Sequence, residues 1–166
     1  MANSGERPFE FRVPQTIHVG IGCHGRVFAE AARIGGGNVL VITDANVRAT
    51  PVAGKVIEQL SGAGILRGVF ADIPGEPTTI EVEKGLAALR GAKADTVVAI
   101  GGGSVIDTAK AVATMATNGG SIADYKGANK ITTPKLPLIA VNTTAGTGSE
   151  VTPNCILTDV KPGGGH

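Results

Sequence analysis

The sequence predicts an α/β fold, a parallel sheet of buried strands with helices on both faces. Short aliphatic runs, Asn38 to Thr43, Leu66 to Ile73, Thr96 to Ile100 and Pro137 to Asn142, alternate with longer segments of helical period. Strand–helix–strand alternation of that length demands right-handed crossovers, and these lay successive strands parallel. The hydrophobic share is 42%, mostly Ala, Val, Ile and Leu with only four Phe, one Tyr and no Trp, as aliphatic strands under alanine-rich helices require. A chain of 166 residues suits one domain and can bury a core of this kind.

Each element has its own signal. Residues 1–13 are a polar leader and the start of an extended segment that runs from Phe9 to His18, with a turn near Gly20 and Gly22. Val27, Ala31 and Ile34 share a helical face, and Gly35-Gly36-Gly37 stops that helix. After the strand Asn38 to Thr43, Pro51 opens a helix carrying Val52, Val56 and Leu60 on one face, ended by Gly62 and Gly64. Strand Leu66 to Ile73 leads to the turn Pro74-Gly75-Glu76-Pro77, and Thr78 or Thr79 caps a helix that turns Val82, Leu86 and Leu89 inward. Strand 96–100 runs into a helix over 104–116, Ser121 to Asp124 caps a short helix, and strand 137–142 precedes an extended piece from Val151 to Thr158. The folded domain is expected over 14–159. The glycine-rich tail, 160–166, reads as a linker or non-native end.

Composition removes several function classes. Fifteen basic against fourteen acidic residues leave a net charge of +1, with neither a phosphate-neutralising stripe nor an aromatic stacking set, so no nucleic-acid partner is expected. No apolar run reaches membrane-spanning length and no signal-peptide core follows the leader, which predicts no membrane association and a cytoplasmic protein. Cys23 and Cys155, far apart in sequence and each in an apolar context, read as free thiols. No G-x-S-x-G elbow is present and neither cysteine has an obvious histidine partner, which argues against a hydrolase. His18, His24 and His166 lack metal-ligand spacing.

Two glycine-rich turns carry the chemistry. Thr96 to Ile100 runs into Gly101-Gly102-Gly103, and Ser104 and Asp107 stand at capping-box spacing before an apolar helical pattern. A strand, a side-chain-free turn and a helix start bring backbone N–H groups and the positive end of a helix dipole to one point, which suits an anion and first of all phosphate. The pattern is neither G-x-G-x-x-G nor a Walker A loop, because no third spaced glycine and no G-K-[ST] occur. A plain capped turn would explain Ser104 and Asp107 but not three consecutive glycines. The second turn, Thr143-Thr144-Ala145-Gly146-Thr147-Gly148-Ser149-Glu150, is built almost wholly of small residues and carries hydroxyls suited to wrapping a polar ligand. Asp44, Gly101 to Ser104 and Thr143 to Thr147 all fall at the carboxyl ends of strands, where such sheets bind ligands.

The segment Gly101 to Lys110, together with Thr143 to Thr152, resembles the iron-containing (group III, metal-dependent) alcohol dehydrogenase family, and the resemblance runs from about Pro14 to Asp159. It implies a Rossmann-like dinucleotide-binding domain over 14–159, the cofactor half of a two-domain NAD-dependent enzyme that moves hydride between an alcohol or aldehyde and NAD. Gly102, Gly103 and Ser104 would cradle the pyrophosphate, and Gly101 counts with them among the cofactor-binding residues. Thr143, Thr144, Thr147, Thr152 and Asn154 match family positions on the cofactor's adenine, ribose or nicotinamide side. Asp44 can accept both ribose hydroxyls of the adenosine and repel a 2′-phosphate, which favours NAD over NADP. The same residue also suits an ordinary turn or helix cap. Asp107 is expected to hold the turn, and Lys110 either faces solvent or supports Asp107.

Family members often have Asn-Pro where this chain has Glu76-Pro77, so Glu76 either replaces that contact or faces water. Beyond Asp159 the family continues into a helical domain that binds Fe²⁺ or Zn²⁺. No ligand of that metal and no catalytic residue is expected in these 166 residues, so the isolated chain is expected to bind NAD but not to oxidise alcohols. A non-catalytic nucleotide-binding module or fragment, or a relative of dehydroquinate synthase or glycerol-1-phosphate dehydrogenase, is the alternative. The resemblance also implies a homodimer, and apolar surface left uncovered on an isolated half implies self-association.

Overall fold

The computed structural model describes residues 13–127 and 130–160. The leader residues 1–12 and the tail residues 161–166 lie outside them, and so does the expectation placed on each. The elements are α1 (Val27–Arg33), β1 (Val39–Thr43), α2 (Ala45–Arg48), α3 (Pro51–Gly62), β2 (Leu66–Phe70), α4 (Thr79–Gly91), β3 (Thr96–Gly101), α5 (Gly103–Met115) and β4 (Leu138–Asn142). Short 3-10 turns precede α1 at Cys23–Arg26 and follow α5 at Ile122–Tyr125.

The four strands form one parallel sheet in the order β2-β1-β3-β4. Alternation along each strand divides the core between its faces. Leu40, Ile42, Val97 and Ala99 pack with Val82, Leu89, Ile106 and Val112 of α4 and α5. Val39, Val41, Val98 and Ile100 pack with Val27, Ala31, Val56 and Leu60 of α1 and α3. The helices therefore cover both faces, as the alternation of elements predicts. Local chemistry fixes the helix starts. Thr50 caps α3 with Pro51 at its first position, and Thr78 with Glu81 forms a reciprocal capping box on α4.

Three expectations need correction. The helix after the triple glycine begins at Gly103 with Gly102 as N-cap, so Ser104 is not the cap and Asp107 does not complete a capping box. Strand β2 ends at Phe70 rather than Ile73, because its pairing with β1 ends at Ile42 and Phe70. One residue past β1 the chain turns into α2, which leaves residues 71–73 no ladder partner. Residues 151–158 form no sheet strand: a turn at 148–152 gives way to irregular chain with a single parallel bridge between Thr158 and Thr78. Glu76 faces water yet accepts a 2.7 Å hydrogen bond from the Thr158 hydroxyl, so it helps hold this segment.

Candidate cofactor site

The carboxyl ends of β1, β3 and β4 lie side by side, because Thr43 pairs with Ile100 and Gly101 with Asn142. The Thr43 hydroxyl donates to the Ile100 carbonyl at 2.7 Å, and the Thr143 N–H donates to the Gly101 carbonyl at 3.0 Å. Adjacency in the sheet thus brings Asp44, the glycine turn and the start of the threonine loop to one edge.

At the centre of that edge, α5 begins without a side-chain cap. A helix leaves its first N–H groups without intrahelical partners, and those of α5 stand at the positive end of a 13-residue helix. The threonine loop closes on them. A Cβ added at Gly102 would stand 2.8 Å from Thr144 Oγ1, and one at Gly103 would stand 3.1 Å from Thr147 Cγ2 and 3.3 Å from Ser149 Oγ. Backbone and hydroxyls meet here with no intervening side chain, and an uncapped helix start with bare N–H groups fits a phosphate. Gly101 serves another purpose: a Cβ there would meet Val105 Cβ at 2.6 Å, so this glycine permits the close turn from strand to helix.

Asp44 caps α2, its Oδ1 accepting from the N–H groups of Asn46 and Val47 at 2.9 Å each. Its Oδ2 makes no hydrogen bond among the described residues. One carboxylate can therefore cap the helix and present its other oxygen to a ligand at the end of β1. Thr152, the last residue of the turn at 148–152, and Asn154 just beyond it are exposed, and neither is among the nearest neighbours of Gly102 and Gly103, which are Thr144, Thr147 and Ser149.

Lys110 does not face solvent. It and Asp107 are each only 7% exposed, and Lys110 Nζ donates to Asp107 Oδ1 at 3.0 Å. The Lys110 ammonium also donates to the Asn154 carbonyl, and the Ile156 N–H donates to Asp107 Oδ2 at 3.0 Å. Asp107 therefore holds the segment after the threonine loop rather than the glycine turn. Sequence reasoning also missed Asn142, whose Oδ1 accepts from the Thr144 N–H at 3.2 Å and shapes the loop from its first residues. An amide side chain at the end of an aliphatic strand was the available signal.

A cleft of about 850 Å³ runs along the free edge of β4, lined among others by Ile17, Val19, Lys110, Ala140, Asn142 and Glu150. It borders the threonine loop but includes neither Asp44 nor the glycine turn. It is the space beside a sheet edge that is unpaired among the described residues, and the anion-binding groups lie outside it. Among the described residues, Glu150 Oε2 is buried without a hydrogen-bond partner. Cys155 and Cys23 are unbridged. Burial and the nearby Asp107 charge push the Cys155 thiol above its ordinary value of 9.0, against the partial opposition of Lys110, which disfavours its nucleophilic form. Among the described residues no three His, Cys, Asp or Glu side chains stand together as a metal site.

Fold and site define a Rossmann-like α/β domain with a glycine turn and a hydroxyl-rich loop at the carboxyl end of its sheet. A family model described as "Iron-containing alcohol dehydrogenase" matches residues 14–164, and the chain belongs to that family. Among its relatives is the NAD-dependent methanol dehydrogenase of Bacillus methanolicus, 36% identical over 149 residues, which are 90% of this chain and 39% of that protein. A solved 1,3-propanediol oxidoreductase superposes with a TM-score of 0.87 at 34% identity, over 92% of this chain and 40% of its own. A sulfoacetaldehyde reductase from Bifidobacterium kashiwanohense, solved in complex with NAD⁺, superposes with a TM-score of 0.81 at 34% identity, over 93% of this chain and 41% of its own. The chain thus spans about two fifths of the length of the relatives it matches.

Proposed function

We propose that this chain is the NAD-holding part of an NAD-dependent alcohol dehydrogenase. The observation that carries the reading is the uncapped start of α5, bare of side chains at Gly102 and Gly103 and walled by Thr144 and Thr147. The first N–H groups of α5, with Ser104 in its first turn, receive the diphosphate. Asp44, at the end of β1, takes the adenosine ribose through its free oxygen, and its charge opposes a 2′-phosphate. In this reading the dinucleotide lies across the sheet, with adenosine over β1, diphosphate over β3 and nicotinamide over β4, and the adjacency of these three strands supports it. There the hydroxyls of Thr143, Thr144 and Thr147, with Thr152 and Asn154 beyond, supply polar contacts. Bound NAD supplies the hydride acceptor. The protein's own contribution is to bind and orient it.

The substrate of the whole enzyme is read as a small alcohol or aldehyde, and the setting as the cytoplasm. The iron or zinc associated with the family has no ligand cluster among the described residues.

Calorimetric titration of the chain with NAD⁺ and then NADP⁺ tests the proposal. Saturable NAD⁺ binding at least about tenfold tighter than NADP⁺ is expected, the size of one unfavourable charge contact. Heat from neither cofactor would sink the reading.

A further inference from the structure

The buried Asp107–Lys110 pair is more than the proposed cofactor reading needs. Helix α5 is buried all round from Val105 to Met115, and an ionised pair in so dry a setting persists only when its hydrogen-bonding capacity is used. The pair uses it across the helix surface. One oxygen of Asp107 takes Lys110, the other takes the Ile156 N–H, and Lys110 donates onward to the Asn154 carbonyl. Two backbone groups of one segment, 154–156, are thereby fixed to two charged side chains one turn apart on α5. Upstream, the same stretch of chain packs Ser149 and Thr147 against Gly103, at the first position of that helix. Downstream, Thr158 exchanges backbone hydrogen bonds with Pro77 and Thr79. The chain from 147 to 158 is thus a strap pinned to α5 at two levels and to the start of α4 at its far end.

We propose that Asp107 and Lys110 are positioning residues for the cofactor site. They hold the strap in register with the glycine turn, so that the wall over β4 is preformed for the nicotinamide half of the dinucleotide. This rests on the cofactor reading above. Neither residue touches the ligand. The adenosine diphosphate half lies over β1 and β3, where the strap contributes only Thr147 and Ser149. These stand at the end remote from the pins at 154 and 156, in a loop with its own anchors at Gly101 and Asn142, so ADP binding depends little on the latch.

The test uses Asp107→Asn, Lys110→Met and the double variant Asp107→Leu/Lys110→Met, each titrated with NAD⁺ and with ADP. Hydrogen exchange over residues 147–158 is followed in parallel. Because each single variant strands a buried charge or dipole, it can lose stability on that ground alone. The double variant removes the charge altogether and separates stability from position. NAD⁺ affinity is expected to fall about tenfold in all three while ADP affinity stays within about twofold, roughly what losing a preordered wall costs. The strap should exchange faster in all three, and the double variant should regain thermal stability without regaining NAD⁺ affinity. A double variant that binds NAD⁺ as the parent does, or parallel losses for NAD⁺ and ADP, overturns the inference. A parent chain that binds NAD⁺ no better than ADP overturns the inference alone. A parent that binds neither removes the cofactor reading and the inference with it.

Discussion

Asp44 shows how one side chain is asked to do two things. As N-cap of α2 it satisfies two N–H groups through a single oxygen, and the ligand role assigned to it needs only the other. The roles separate by substitution. Asp44→Asn keeps a capping oxygen and loses the charge. Unfolding stability should change little, while the preference for NAD⁺ over NADP⁺ falls about tenfold. Asp44→Ala loses both and should also cost about 1 kcal/mol of stability. If Asp44→Asn leaves the cofactor preference intact, the carboxylate is a cap and no more. The three glycines are not equivalent either. Gly101→Ala drives a Cβ into the branched, immobile side chain of Val105 and should cost about 1–3 kcal/mol in urea unfolding. At Gly102 the obstacle is the rotatable hydroxyl of Thr144, so that substitution should spare the fold and crowd the ligand instead. An unfolding midpoint for Gly101→Ala equal to the parent's would contradict the account of the turn. The glycine run was legible as a site from sequence. The division of labour within it was not, since it depends on which side chain stands opposite each Cα.

The strands and helices were legible because their signals are local: aliphatic runs, glycine stops, Pro51, and the Thr78–Glu81 box. What failed depends on partners distant in sequence. The length of β2 is set by where β1 stops, and the path of 151–158 by side chains on α5. The end of the sheet opposite the site has its own polar fastening. Asp95, just before β3, accepts from the N–H groups of Gly37 and Asn38, the Asn38 amide and the Thr96 hydroxyl. Burial alone would raise its carboxyl, but these donors outweigh it and hold the group below the ordinary 3.8. Because the folded protein holds the proton more weakly than the unfolded chain, the stabilisation is fully present above 3.8. It is lost as pH falls through the lowered folded value. The urea midpoint should therefore drop on acidification across that window, and less steeply in Asp95→Asn. Equal slopes in the two proteins would show that this carboxylate does not join β1 to β3 energetically.

One end of the sheet gathers the polar residues and the other the fasteners, a division that follows from parallel strands alone and was foreseeable once the strand order was assumed. Surface behaviour is harder to read from sequence. Ile17 and Val19, 56% and 92% exposed, line the cleft along β4, and Ile21 in the same segment is 110% exposed. Apolar side chains left in water at a free sheet edge favour association. The chain is expected to self-associate, and Val19→Ser/Ile21→Ser to weaken this in light scattering. A parent that stays monomeric at high concentration would rule it out. The central claim is that three neighbouring strand ends form one dinucleotide site, and amide chemical-shift mapping with NAD⁺ tests it most directly. Shifts confined to residues around Asp44, Gly101 to Val105 and Thr143 to Asn154 are the predicted result. Saturable shifts confined to the cleft residues of the N-terminal segment and β4, with the glycine turn silent, would contradict it.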